Sequence, residues 1–255
     1  SPKALEQMKI NLAQYIENRV AAGDFNLAHT AYTLQVGRGA FKYRTSAVCR
    51  DAGQALDWLT GPGAMESDSP MIPGQEPLVV FMFPGQGAQY IDMGLGLYRA
   101  EEVFKEAFDQ CAEILFSKAG FDIRELLYPG QETNIDKLDI NNTGITQPVI
   151  FAMEYALAKL LISWGIRPGA MIGHSIGEYV AACLADVFPL EQALALVALR
   201  GKLMQALPGG AMLSIPLPEK EVKTLLKGSD LSLAAVNSTG RCVVSGSYEA
   251  VDLFA

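Results

Sequence analysis

This sequence is poor in histidine, and its few cysteines form no recognisable motif. Only His29 and His174 occur among its 255 residues, so few side chains could act as a general base near neutral pH. The four cysteines are scattered and form no C-x-x-C pair. That pattern argues against a disulfide framework and against a zinc site, and it predicts a reducing, cytoplasmic compartment.

Long apolar runs and excess positive charge are missing as well. No run of about 18 apolar residues occurs, so the sequence predicts no membrane span. Its opening residues do not have the pattern of a signal peptide. With 20 Lys and Arg against 28 Asp and Glu, the net charge is −8, which argues against nucleic acid as a main partner. The length suits one large domain or two ordinary ones with a sizeable core.

Residues 1–60 have the pattern of a small α/β module. The predicted elements are a helix over 3–22, a second helix from its cap Asp24 through Leu34 to a stop at Gly37, a strand over 41–50 and a third helix over 51–59. Residues 61–77 are dense in Gly, Pro and Ser, which predicts a linker to the rest of the chain.

Residues 78–210 alternate strands with helices, the pattern of an α/β fold with a parallel sheet. We expect an α/β-hydrolase-like core here. The predicted elements are a buried strand over 78–83, the loop 84–89, helices over 99–117, 121–127 and 148–163 (the last beginning at Pro148) and a short strand over 170–172. Ligand sites in such sheets lie at the carboxyl ends of the strands, where this loop and the segment after residue 172 fall.

From residue 211 onward the order of elements changes. The predicted elements are strands over 211–216, 231–236 and 241–245, a helix over 218–226 and a last helix from Tyr248. The order β-α-β-β-α is that of a ferredoxin-like unit without its last strand. The last helix reaches Ala255 with neither a cap nor a polar tail, so we expect both this subdomain (211–255) and the larger part (78–210) to be incomplete.

Ser175 lies in the pattern G-x-S-x-G, between Gly173 and Gly177. An apolar run precedes it and a helix of small residues follows it, which is typical of a nucleophile elbow. Such a turn leaves no room for side chains two residues before and after the serine, and it directs the first N–H groups of the helix at a developing oxyanion. The alternative is a surface turn that carries two glycines by chance.

Arg200 falls within an apolar stripe of the helix that follows Pro189. An arginine on an inward face is costly unless it is paired or faces a cleft, and its planar fork suits a carboxylate. It is therefore a candidate anchor for an acidic substrate. The alternatives are an internal salt bridge or a guanidinium group that extends out to solvent.

Gln86 stands between two glycines at the end of the first predicted strand, so its N–H is a candidate second oxyanion donor. The alternative is a glycine-rich turn without a ligand. The spacing matches neither a dinucleotide fingerprint nor a P-loop. His174 is poorly placed as a base, because adjacent residues in an elbow point in different directions. We expect it to orient the turn or line the pocket, and the base to lie beyond Ala255.

Together these motifs resemble the acyltransferase domain of modular type I polyketide synthases and, more distantly, malonyl-CoA:acyl carrier protein transacylases. The matching segments are 83–87, Thr146-Gln147-Pro148, 173–179, Arg200 within 199–204, and Asn237 with 243–246. Residues 32–38 and 41–44 resemble the ketosynthase-to-acyltransferase adaptor.

The resemblance implies a two-step transfer through Ser175. The serine attacks the thioester of an acyl-CoA, the N–H groups of Gln86 and Ile176 hold the oxyanion, and Arg200 holds the free carboxylate of the extender unit. The acyl group then passes to the phosphopantetheine thiol of an acyl carrier protein, without a tightly bound cofactor or a metal. The adaptor implies a ketosynthase partner, and Ile176 and the Thr146–Pro148 stretch favour malonyl as the extender.

Two other functions remain open from the sequence. A serine esterase or lipase of the α/β-hydrolase class uses the same elbow, but it accounts for neither Arg200 nor the ferredoxin-like segment. A non-catalytic docking or scaffold fragment would account for a serine without a histidine base.

Overall fold

The structure is a computed structural model that describes residues 1–39, 41–61, 78–129 and 139–255. These residues form two compact units, one up to Gly61 and the other from Leu78 onward. Apart from Gly61, the predicted linker lies outside the described residues.

The first unit consists of three helices: α1 (Pro2–Ala22), α2 (Leu27–Val36) and α3 (Ala52–Thr60). α1 packs against α3 over a small apolar core that includes Ile16 and Leu59. The side chains of Asn26 and Asp51 accept hydrogen bonds from N–H groups in the first turns of α2 and α3, which fixes where these helices begin. Asn26, directly before Leu27, caps α2 in place of the predicted Asp24, whose carboxylate pairs with Arg19.

The strand predicted over 41–50 is wrong. The described residues of this segment are irregular, and its apolar side chains Phe41 and Val48 are exposed. Alternation alone does not make a strand, because the backbone groups also need a neighbouring strand to bond. The described part of this unit contains helices and no strand, so the α/β character predicted for it is corrected to all-α.

The second unit begins with the predicted parallel sheet, which has two strands in the described residues. β1 (Val80–Phe83) pairs in parallel with β2 (Ala170–Gly173), and Phe83 stands opposite Gly173. The helices of this part are α4 (Leu95–Ala100), α5 (Glu102–Ala119), α6 (Ile123–Leu127), α7 (Thr143–Ser163), α8 (Gly177–Leu184) and α9 (Leu190–Gln205). α5, α7 and α9 pack on one another around buried residues such as Phe108, Phe151 and Leu194, and the sheet joins this core through Phe81 and Phe83.

α7 is the central helix of this core, and it begins five residues earlier than predicted. The Asn142 side chain accepts a hydrogen bond from the Gly144 N–H and caps the helix, so Pro148 lies inside it rather than at its start. Among the described helices, α7 alone is long and apolar enough to cross a membrane. However, 72% of its most apolar window is buried within the protein, as in a core helix.

One face of the β1–β2 sheet is apolar and uncovered in the described structure. Val80 is 45%, Met82 76% and Ile172 54% exposed, whereas Phe81 and Phe83 on the other face are buried. Parallel sheets are normally covered on both faces. This exposed face, formed by these three residues, is therefore an apolar surface on which another protein segment could pack.

The last part of the chain forms a separate three-stranded antiparallel sheet. Its elements are β3 (Ala211–Ile215), α10 (Glu219–Leu225), β4 (Ser232–Ser238), β5 (Arg241–Gly246) and α11 (Tyr248–Phe254). The strands lie in the order β3-β5-β4, and both helices pack on this sheet over an apolar cluster that includes Val222, Val244 and Val251. The predicted order of elements is observed. The hairpin turn is tighter than predicted, because Ser238 pairs with Arg241.

Candidate functional site

Ser175 lies in the turn between β2 and α8, with a backbone φ of +52°. Two hydrogen bonds fix this turn: the His174 N–H donates to the Phe83 carbonyl at 2.9 Å, and the Gly177 N–H donates to the His174 carbonyl at 3.1 Å. A non-glycine residue in the left-handed region is uncommon and marks a position that the surrounding structure enforces. The strand, turn and helix have the geometry that a nucleophile elbow requires.

The two glycines of the motif are required by close packing. A Cβ atom on Gly173 would lie 2.1 Å from the backbone nitrogen of Glu178, and one on Gly177 would lie 2.4 Å from the carbonyl oxygen of Phe83. The Gly173 N–H also donates to the Glu178 carboxylate at 3.0 Å. Both positions therefore exclude any side chain, which is not expected of a surface turn with two chance glycines.

Arg200 reaches the serine from α9. Its Nη2 donates to Ser175 Oγ at 3.5 Å, and its Cζ lies 5.7 Å from the centroid of the Tyr179 ring, a distance suited to a cation–π contact. Its Nη1 is buried without a hydrogen-bond partner, and no ion pair of the described residues includes Arg200. In the part of the chain described here, the guanidinium group is not neutralised by an internal salt bridge and retains an unused donor beside the serine.

Gln86 lies in the loop after β1, at the same end of the parallel strands as the turn at Ser175. A Cβ atom on Gly85 would lie 2.7 Å from His174 Nδ1, so this loop packs directly against the elbow. The Gln86 side chain donates to Thr143 Oγ1 at 3.3 Å. Within the described residues, the backbone N–H groups of Gln86 and Ile176 have no protein acceptor, as oxyanion donors require before substrate arrives.

His174 contacts the loop rather than the serine. Its ring lies against Gly85, and no described histidine or carboxylate accepts a hydrogen bond from Ser175. The structure thus brings Ser175, Arg200, Gln86, Ile176 and His174 into one region, without a base beside the serine hydroxyl in the described residues. Those residues also contain no group of three or more His, Cys, Asp or Glu that could hold a metal ion.

Sequence reasoning missed two neighbours of the site and one buried acid. Tyr179 lies one helical turn after Ser175, and the i, i+4 spacing was the signal that could have placed its ring near Arg200. Thr143 contacts Gln86 across 57 residues of sequence, which no local pattern reports. Glu154 is buried in α7, where loss of hydration raises its carboxyl pKa to about 8.

A sharp strand-to-helix turn that presents an exposed serine, next to a loop from a parallel strand and an unpaired arginine, defines a protein of the serine acyl-transfer class. The chain belongs to the acyl transferase family, because the family model described as "Acyl transferase domain" matches residues 80–255. A second model, described as "CurL-like, PKS C-terminal", matches residues 1–59.

Known relatives agree with this assignment. The chain is 39% identical to Mycoketide-CoA synthase of Mycobacterium tuberculosis over a 260-position alignment, which covers 98% of this chain and 6% of that protein. The solved acyl transferase domain of ZmaA is 43% identical, with a TM-score of 0.86 over 100% of this chain and 59% of that one. A malonyl-transacylase solved in complex with a type II polyketide synthase acyl-carrier protein is 34% identical, with a TM-score of 0.60 over 70% of this chain and 58% of that one.

The chain is therefore homologous to the acyltransferase domains of polyketide synthases, and it shares their α/β fold with a parallel sheet. It spans a small fraction of the curated relative and about three fifths of the solved domain.

Proposed function

We propose that this chain is part of an acyltransferase that loads a carboxylated extender unit, malonyl, from CoA onto an acyl carrier protein. The observation that carries the proposal is the pair formed by Ser175 and Arg200. A nucleophile candidate lies 3.5 Å from a guanidinium nitrogen, and the same guanidinium group has a second, buried nitrogen without a partner. An acyl group that ends in a carboxylate supplies the negative charge and the two acceptor atoms that the guanidinium group of Arg200 lacks.

The reaction would proceed in two steps through a seryl ester. Ser175 Oγ attacks the thioester carbonyl, its proton passes to a base, and the C–S bond breaks to release the CoA thiol. The phosphopantetheine thiol of the carrier protein then attacks the ester, the C–O bond breaks, and Ser175 regains its proton. In each step the backbone N–H groups of Gln86 and Ile176 stabilise the oxyanion, while Arg200 keeps the distal carboxylate in place.

Malonyl as the substrate and the carrier protein as the partner have independent support. One similar structure is named as a malonyl-transacylase and was solved with its acyl-carrier protein. Ile176 and the Thr146–Pro148 stretch favour malonyl over a branched extender. We place His174 in the substrate pocket, where it lines the wall next to Gly85.

The proposed organisation assigns a role to each part of the chain. We assign residues 1–60 to a ketosynthase-to-acyltransferase adaptor, which the match to a polyketide synthase segment over residues 1–59 supports. The linker is 61–77, and 78–210 form an α/β-hydrolase-like large subdomain. Residues 211–255 form a ferredoxin-like subdomain, for which the strand order β3-β5-β4 is the support. We place the protein in the cytoplasm, without a membrane or nucleic-acid partner and without a tightly bound cofactor.

Acylation of Ser175 in a complete acyltransferase that contains this chain tests the function. We expect malonyl-CoA to add a malonyl group to Ser175 within seconds, detected as a mass shift of the intact protein and located by peptide mapping. The Ser175→Ala variant is the control and stays unlabelled. Fast labelling by a neutral ester, with none by malonyl-CoA, would instead identify a serine esterase or lipase.

The isolated 1–255 chain is expected to transfer little or no acyl group. A serine hydroxyl needs a positioned base, and the described residues place none beside Ser175. The uncovered apolar face of the sheet (Val80, Met82 and Ile172) is consistent with further protein that packs there. Steady-state transfer of malonyl to a carrier protein measures this, and robust turnover by the isolated chain would assign a base within it.

A further inference from the structure

The N-terminal end of α7 makes polar contacts on both sides of the proposed site. Thr143 Oγ1 accepts a hydrogen bond from Gln86 Nε2 at 3.3 Å, and the Thr143 N–H donates to Gln205 Oε1 at 2.8 Å. Gln86 belongs to the loop with one proposed oxyanion donor. Gln205 is the last residue of α9, the helix that carries Arg200. Thr143 therefore touches the supports of two different functional groups.

The contact between α7 and α9 is a backbone contact and leaves little room for adjustment. A Cβ atom on Gly201, the residue after Arg200, would lie 2.9 Å from the Thr143 carbonyl oxygen and 3.1 Å from the Gly144 Cα. Because no side chain separates the two helices here, the first turn of α7 is held at a fixed distance from the backbone of Arg200.

The loop on the other side of Thr143 packs against the elbow at Gly85, and its side-chain hydrogen bonds run toward α7. Gln86 stands between two glycines, and Gly87 has a φ of +116°. The Gly87 N–H donates to Gln89 Oε1 at 2.8 Å, and Gln89 Nε2 donates to Asn141 Oδ1 at 2.9 Å. Both side-chain anchors of the loop thus end on residues 141–143, which makes this segment the main support of the loop toward α7.

We propose that Thr143 is a positioning residue of the transfer reaction. Its hydroxyl holds the Gln86 loop and its N–H holds the end of α9, so the oxyanion donor and the carboxylate anchor keep a fixed separation. This inference rests on the proposed function. Thr143 acts through Gln86 and does not touch the reacting atoms, so its loss weakens oxyanion stabilisation for every acyl group, with or without a distal carboxylate.

Thr143→Val in the complete acyltransferase tests the role of the hydroxyl. We expect kcat to fall about 3- to 10-fold, the effect of one lost hydrogen bond, to the same extent with malonyl-CoA and acetyl-CoA. KM stays within about twofold of its original value, and Thr143→Ser restores kcat because it keeps the hydroxyl. Thr224→Val is the matched control, since that hydroxyl donates to a carbonyl of its own helix, α10, at 3.0 Å.

A double-mutant cycle with Gln86→Met locates the effect in this one contact. Gln86→Met removes the amide donor but keeps the chain length, so the double variant should be no slower than the slower single variant. Additive losses, an unchanged kcat in Thr143→Val, or a loss that Thr143→Ser fails to restore would each overturn the positioning role. Failure of the unaltered enzyme to accept malonyl-CoA would instead overturn the proposed function, so the two failures can be told apart.

Discussion

Arg200→Ala is expected to lower kcat/KM for malonyl transfer by about 100-fold or more, and for acetyl transfer by no more than about threefold. The malonyl carboxylate loses two charge-assisted hydrogen bonds, whereas acetyl has no carboxylate to hold. Arg200 Nη1 has no protein partner in the described residues, so its removal leaves no buried acid unpaired. The expected result is therefore a change in selectivity between two substrates that share one nucleophile.

The measurement is single-turnover acylation of Ser175 with each CoA ester in the complete acyltransferase. Lys202→Ala is the matched control, because Lys202 lies exposed on the same helix and carries the same charge. Arg200→Lys keeps the charge but not the planar fork, so we expect an intermediate loss with malonyl. Equal losses with malonyl and acetyl would contradict the anchor role and point to a general role in holding the elbow.

The elbow could be predicted from five residues because part of its constraint is local. The Gly173 position needs glycine because a Cβ atom there would lie 2.1 Å from the backbone nitrogen of Glu178, within the same strand-to-helix turn. The carbonyl that excludes a side chain at Gly177 belongs to Phe83 on the neighbouring strand, which no local pattern reports. The inward position of Arg200 was likewise predictable, since helical periodicity places it among the buried Ala193, Val197 and Gly201. What such patterns do not supply is the distance from Arg200 to the serine.

The elements that were predicted wrongly depend on competition or on distant partners. Pro148 is compatible with a helix start, but the Asn142 side chain caps a helix that begins at Thr143, five residues earlier, and this capped start prevails. The segment 41–50 alternates like a strand but has no strand to pair with among the described residues of its unit. Thr143 is close to Gln86 only because tertiary packing brings the first residue of α7 to the loop after β1, 57 residues away in sequence.

Glu154→Gln is expected to stabilise the acyltransferase at pH 7 to 8 by about 2–4 kcal/mol, an effect that disappears near pH 4.5. The carboxyl group of Glu154 is buried in α7, and neither of its oxygens has a hydrogen-bond partner in the described residues. Burial therefore raises its pKa from 4.5 to about 8 in the folded protein. Below pH 4.5 both the folded and the unfolded protein hold this proton, so the group imposes no cost there.

Between pH 4.5 and about 8 the unfolded chain releases the proton while the folded chain keeps it, so the free energy of unfolding falls as pH rises. One such group lowers it by up to about 1.4 kcal/mol per pH unit, and the decline levels off above the folded-state pKa. Thermal unfolding midpoints from pH 5 to 8 should therefore fall less steeply in Glu154→Gln. The matched control Glu113→Gln, at an exposed position on α5, should keep the original slope. Parallel slopes for all three proteins would show that Glu154 is ionised in the folded state, with a cationic or hydrogen-bonding partner supplied by the rest of the enzyme.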